Sequence, residues 1–182
     1  MHFLIPMEFG QNGVRTVYRP KYVTSLTPVT WSQCRLGEWA IVWVDTTQAN
    51  LNFLAAQPDV QTIPPLDSTV AVTATRNQLE AIGIPGQWVI AGMTYRTVLR
   101  VIVGMALLVQ RTEGRGGRFP FFGRLDDTIG SFAVDDRQRL ADAADDLGIN
   151  RSSITMSTTV REALRIVGEQ FAQGRAIALG DL

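Results

Sequence analysis

Two stretches of this chain follow one pattern in constant register, and that repetition limits the fold more than any other feature. The first reads Gly83-Ile84, then Thr94-Tyr95-Arg96, then Leu99-Arg100-Val101. The second reads Gly148-Ile149, then Thr159-Val160-Arg161, then Leu164-Arg165-Ile166. Glycine commonly closes a helix and threonine commonly opens one. The pattern therefore predicts a helix–loop–helix unit, duplicated in tandem. Leu66-Asp67-Ser68-Thr69-Val70 and Leu125-Asp126-Asp127-Thr128-Ile129 echo each other as the entry to each copy.

Apolar spacing supplies the helices. Val72, Thr75, Leu79 and Ile82 predict a helix over 71–82, stopped by Gly83 and Pro85. Thr94 opens a longer helix to about Arg111, apolar on nearly every side and hence central. In the second copy Val134, Arg137, Leu140, Ala141, Ala144 and Leu147 form one stripe over 134–147. Thr159 and Glu162 form a capping box that opens the last helix, to about Phe171.

The first third reads differently. His2 to Phe9 and Val14 to Tyr18 are extended, with the tight-turn pair Asn12-Gly13 between them, so a hairpin is expected. Pro6 and Pro20 remove ladder donors, which places both strands at an edge or in an arm. Residues 31–37 receive no assignment. Trp39 to Val44 is the strongest strand, nearly continuous in apolar residues and suited to burial on both faces. Asp45-Thr46-Thr47 caps a helix through Gln57, and Val60 to Ile63 is a short strand closed by Pro64-Pro65. Strand, helix and strand make a split β-α-β unit of ferredoxin-like character. The expected architecture is α+β: a β-rich domain over 1–65, then a duplicated four-helix domain over 66–182 with an Arg/Gly/Phe loop at 112–124. The tail from Gly174 to Leu182 reads as an extended arm.

Composition narrows the function by exclusion. The formal net charge is zero, which removes long-range steering toward a polyanion. One cysteine, Cys34, permits no internal disulfide. One histidine, His2, leaves no Cys/His metal cluster and no convincing nucleophile–base pair. No basic-then-apolar leader opens the chain, and the apolar run Val101–Val109 is too short to span a bilayer. No Walker loop or nucleophile elbow is present. No catalytic, cofactor or metal residues are assigned, and an enzyme ranks last.

Two polar features remain. Arg96/Arg100 and Arg161/Arg165 repeat with the copies and suit either paired anion sites or structural ion pairs. The second reading is preferred, with Asp135, Asp136, Asp142, Asp145 and Asp146 as the partners nearest in sequence. The loop between the copies carries Arg115, Arg118, Phe119, Phe121, Phe122 and Arg124. Cations interleaved with rings suit single-stranded nucleic acid. Exposed aromatics more commonly mark protein interfaces, so these six residues are assigned to partner binding. The loop is expected to be mobile in the isolated protein.

Three further stretches carry a resemblance: Leu54-Ala55-Ala56-Gln57-Pro58-Asp59-Val60, Ile84-Pro85-Gly86-Gln87-Trp88-Val89 with Thr94-Tyr95-Arg96, and Thr158-Thr159-Val160-Arg161-Glu162-Ala163-Leu164-Arg165. With these the chain resembles small structural virion proteins of tailed bacteriophages. The resemblance implies a structural role at the head–tail junction or in the tail, assembly in the host cytoplasm, and other virion proteins as partners. It supplies no catalytic residues. The expectation is a non-enzymatic subunit of a symmetric ring or lattice; the alternative is a nucleic-acid-binding or regulatory module using the 112–124 loop.

Overall fold

The structure, a computed structural model, describes residues 1–12, 15–84, 86–113, 124–174 and 179–182, without the side chains at 11–12, 15–17, 109–113 and 171–174. The chain divides into two compact units, one formed by 1–66 with 177–182 and the other by 67–176.

The first unit is an antiparallel sheet with one helix. Its elements are β1 (His2–Asn12), β2 (Arg15–Pro20), β3 (Val29–Leu36), β4 (Trp39–Thr46), α1 (Gln48–Ala55) and β5 (Gln61–Thr62). The strand order is β2-β1-β4-β3, with β5 also on β1. Because β4 and β5 both run antiparallel to β1 and flank it at Phe3 and Leu4, the unit has the split β-α-β arrangement. The hairpin pairs Asn12 with Arg15.

Two expectations need correction. The prolines do not push β1 to an edge; β1 is an inner strand, between β4 on one side and β5 and β2 on the other. Successive backbone groups alternate sides along a strand. The Met7 N–H donates to the Glu38 carbonyl, on the β4 side, so the nitrogen of Pro6 faces the opposite side. There β1 passes from β5 to β2, and no ladder donor is lost. Of residues 31–37, left unassigned, 31–36 lie in β3, whose interrupted apolar pattern suits a strand paired only with β4 among the described residues. Gly37, at φ 57, makes the tight turn from β3 to β4.

One face of the sheet carries Phe3, Ile5, Val42 and Val44, packed with Leu54 of α1 and Val23 of a 3-10 turn. The Thr47 hydroxyl caps α1, accepting from the Asn50 N–H at 3.3 Å. Lys21 and the Tyr22 hydroxyl both reach Asp59, at 2.9 and 3.0 Å, and hold the turn against the segment after α1. The tail is not a free arm, for residues 179–182 return to this unit. The His2 ring donates from Nε2 to the Leu179 carbonyl at 2.7 Å, Gly180 sits against the Trp43 indole, and Leu179 and Leu182 are buried.

The second unit holds α2 (Val72–Ala81), α3 (Tyr95–Glu113), α4 (Val134–Asp146) and α5 (Val160–Gly174). The two copies share their helix closures, caps and bridges. Gly83 (φ 83) and Gly148 (φ 70) end their helices in the left-handed conformation. Gly83 donates to Glu80 and Ile84 to Leu79; Gly148 donates to Asp145 and Ile149 to Ala144. Each is a Schellman closure, in which glycine takes the left-handed position and the next residue is apolar. That explains the repeated Gly-Ile. Thr94 and Thr159 accept from the N–H of Thr97 and Glu162, at 3.3 and 3.2 Å, as caps. A two-residue bridge precedes each capped helix, Thr69 to Thr94 and Thr128 to Thr159.

The center of this unit is the contact of α3 with α5. Residues 101–108 of α3 are buried without interruption, as an all-round apolar helix requires. Gly104 faces the Leu164 carbonyl, and Gly168 faces the Arg100 carbonyl, so closely that a methyl group on either would collide. Glycine inside a helix costs about 1 kcal/mol relative to alanine, so two at one crossing have a packing reason.

Candidate functional site

The repeated arginines are anchored within the fold. Arg96 grips Asp67 with two bonds, Nε to Oδ1 at 3.1 Å and Nη2 to Oδ2 at 3.3 Å, and holds that carboxyl below its usual range. Its counterpart Arg161 pairs with Asp126 at 3.6 Å and donates to the Trp88 carbonyl at 3.2 Å. Asp67 and Asp126 are themselves equivalent in the repeat, so each copy ties its second helix back to its own entry. Arg165 reaches Glu162 at 2.8 Å and also Glu169, while Arg100 lies 3.9 Å from Glu169. The arginines therefore form ion pairs, with Asp67, Asp126, Glu162 and Glu169 as partners. Among the acids of α4, Asp145 binds Arg151 and Asp136 lies near Arg139.

Of the six residues assigned to partner binding, Arg115, Arg118, Phe119, Phe121 and Phe122 lie outside the described residues. Arg124 is described and engaged: its Nε donates to Asp127 at 2.5 Å, and its guanidinium lies 4.2 Å from the center of the Phe132 ring. The lone thiol and the lone imidazole are both structural. Cys34 is buried in β3, and burial pushes its pKa up to about 12. His2 is held by the tail. Among the described residues no group of three or more His, Cys, Asp or Glu side chains is placed to hold a metal, and no helix is long and apolar enough to cross a membrane.

What the fold does build is a groove in the second copy, with a volume of about 440 Å³. Its floor comes from Leu140 and Ala144 of α4, Ala163 and Val167 of α5, and Leu108 of α3. The segment after α4 supplies Ile154 and Met156. Val134 and Met156 at its rim are 67 % and 60 % exposed. Two cations stand on it. Arg151 is doubly bonded to Asp145, at 2.7 and 3.0 Å. Arg137 is different. Its Nε is shielded from solvent with no hydrogen-bond partner, and its Nη1 lies 3.2 Å from the Met156 sulfur, a weak acceptor.

Sequence reasoning placed Val134 and Arg137 on one stripe of α4 with Leu140, Ala141, Ala144 and Leu147, and missed the groove. A signal was present in the repeat. In its register, Arg76, Leu79 and Trp88 of the first copy correspond to Ala141, Ala144 and Ser153 of the second. In the first copy Trp88 is 1 % exposed, Leu79 is buried, and Arg76 bonds the carbonyls of Gln87 and Val89. The second copy loses that bulk, and Ala141 and Ala144 line the groove.

Comparison of the chain with known protein families, with curated proteins and with solved structures finds no match in any of the three. What the structure defines is an α+β protein with an antiparallel sheet unit and a duplicated helical unit that carries an open apolar groove.

Proposed function

We propose that the protein is a non-enzymatic structural subunit of a tailed-bacteriophage particle, at the head–tail junction or in the tail, working through protein–protein contacts. The observation that carries this reading is the groove. It is apolar and open, its rim exposes Val134 and Met156, and its charged groups are arginines rather than an acid–base pair. Exposed apolar surface of this kind marks an interaction site. The sequence resemblance to phage virion proteins supplies the kind of assembly. A symmetric ring or lattice of copies, contacting other virion proteins, is the expected setting.

Mass spectrometry of gradient-purified particles tests the proposal. The protein is expected at a constant ratio to the other structural proteins. Its recovery only in the soluble fraction of infected cells would overturn the assignment. Salt-dependent binding of single-stranded DNA by the free protein would favour the nucleic-acid reading instead.

A further inference from the structure

We infer that the groove of the second copy receives one large aromatic side chain from a partner protein, with a neighbouring carboxylate of that partner pairing with Arg137. The inference rests on the assembly role proposed above and names the chemistry of the contact.

Three observations converge on this occupant. The repeat gives the first. Where the first copy buries Trp88 and Leu79, the second has Ser153 and Ala144, and Ala144 lines a cavity of about 440 Å³. The cavity falls within the range of about 300–1,000 Å³ typical of small-ligand pockets, which leaves room for one large aromatic side chain. The second copy therefore carries less bulk at these positions than its sister, and one aromatic ring from outside would supply it. Charge is the second. Among the described residues Arg137 contacts no carboxylate, whereas Arg151 beside it is already bound by Asp145. A guanidinium at an apolar groove, with its Nε shielded from water, selects an acidic partner and makes strong charge-assisted bonds to it. The rim is the third. Val134 and Met156 extend the apolar surface beyond the cavity, so the ligand is a larger surface that covers them, and methionine adapts readily to such a partner.

Fluorescence anisotropy on the full chain tests this, with a labelled peptide carrying one tryptophan between two aspartates and a second with lysines in place of the aspartates. The acidic peptide is expected to bind in the micromolar range and the basic one not to bind. Arg137→Met keeps the apolar stem, removes the cation, and is expected to weaken binding about tenfold. Ala144→Leu restores the bulk of Leu79 and is expected to abolish it. Circular dichroism checks that Ala144→Leu folds; if it does not, Arg137→Met carries the test alone, because its guanidinium reaches the groove's rim.

Equal affinity for both peptides, or affinity unchanged in Arg137→Met, overturns the inference. So does self-association that Ala144→Leu removes while neither peptide binds, which would seat a second copy in the groove. Binding of decanoate without binding of the peptide likewise overturns it, in favour of a small amphiphile. If the acidic peptide fails while the protein still copurifies with particles, this inference falls and the assembly reading stands. If the peptide binds through Arg137 but particles lack the protein, the reverse holds.

Discussion

Cys34 shows how burial removes chemistry from a reactive side chain. The thiolate is the nucleophile, and desolvation disfavours it, which is why the pKa rises to about 12. The native protein should therefore resist a disulfide reagent at pH 8, with modification appearing only at the rate of unfolding. Rapid labelling of the folded protein would contradict the burial. Gly104 makes a second test. Alanine there gains up to about 1 kcal/mol of helix propensity. The added methyl meets the Leu164 carbonyl on another helix, which cannot swing aside as a side chain does. Overpacking of this kind typically costs about 1–3 kcal/mol, so the clash wins. Urea denaturation of Gly104→Ala should show a lower midpoint at unchanged slope, and Gly168→Ala should behave alike. The sequence showed both glycines, but not that each faces a neighbouring carbonyl, because that depends on how two distant helices cross.

The helices begin and end where short-range chemistry says they must. Gly83 and Gly148 need positive φ, the isoleucines follow at the apolar position of the closure, and the threonines cap. Thr159→Ala should cost about 1 kcal/mol, read as a drop in the thermal midpoint, since the Glu162 N–H loses its acceptor. Glu162 also bonds Arg165, which holds its carboxyl below the ordinary 4.5. A depressed carboxyl contributes stability that is complete above its unfolded value and is lost as pH falls through the folded one. The stability difference between the native chain and Glu162→Gln should therefore shrink below about pH 4.5. Urea titrations from pH 3 to pH 7 measure it; a gap that grows on acidification would contradict the ion pair. β1 is the element that local reading misjudged. Its prolines are visible in the sequence, but which side of the strand each nitrogen faces follows from pairing with β4, β5 and β2.

Across the chain, the ends meet in the first unit. Leu179 and Leu182 are buried there and the His2 ring is bonded to the Leu179 carbonyl. Removal of 179–182 should expose the His2 end of β1. Hydrogen exchange at the amides of His2 to Ile5 should then accelerate, while that of α3 serves as the internal reference. Unchanged protection at β1 would show that the tail contributes nothing to the sheet. The duplicated unit carries the other lesson. Two copies with the same caps and closures diverge in bulk at Arg76, Leu79 and Trp88, and two of the smaller counterparts, Ala141 and Ala144, line the groove.

The sequence by itself determined the copies, their helices, the hairpin and the split β-α-β unit. Each of these rests on signals that act within a few residues: the 3.6-residue apolar period, a glycine at positive φ, a capping hydroxyl, a two-residue turn. Only the tertiary structure decided that β1 is an inner strand, that Asp67 and Asp126 hold Arg96 and Arg161, that the tail closes the sheet unit, and that α3, α4 and α5 together line the groove. Those outcomes depend on which distant faces come into contact, and spacing along the chain does not encode that.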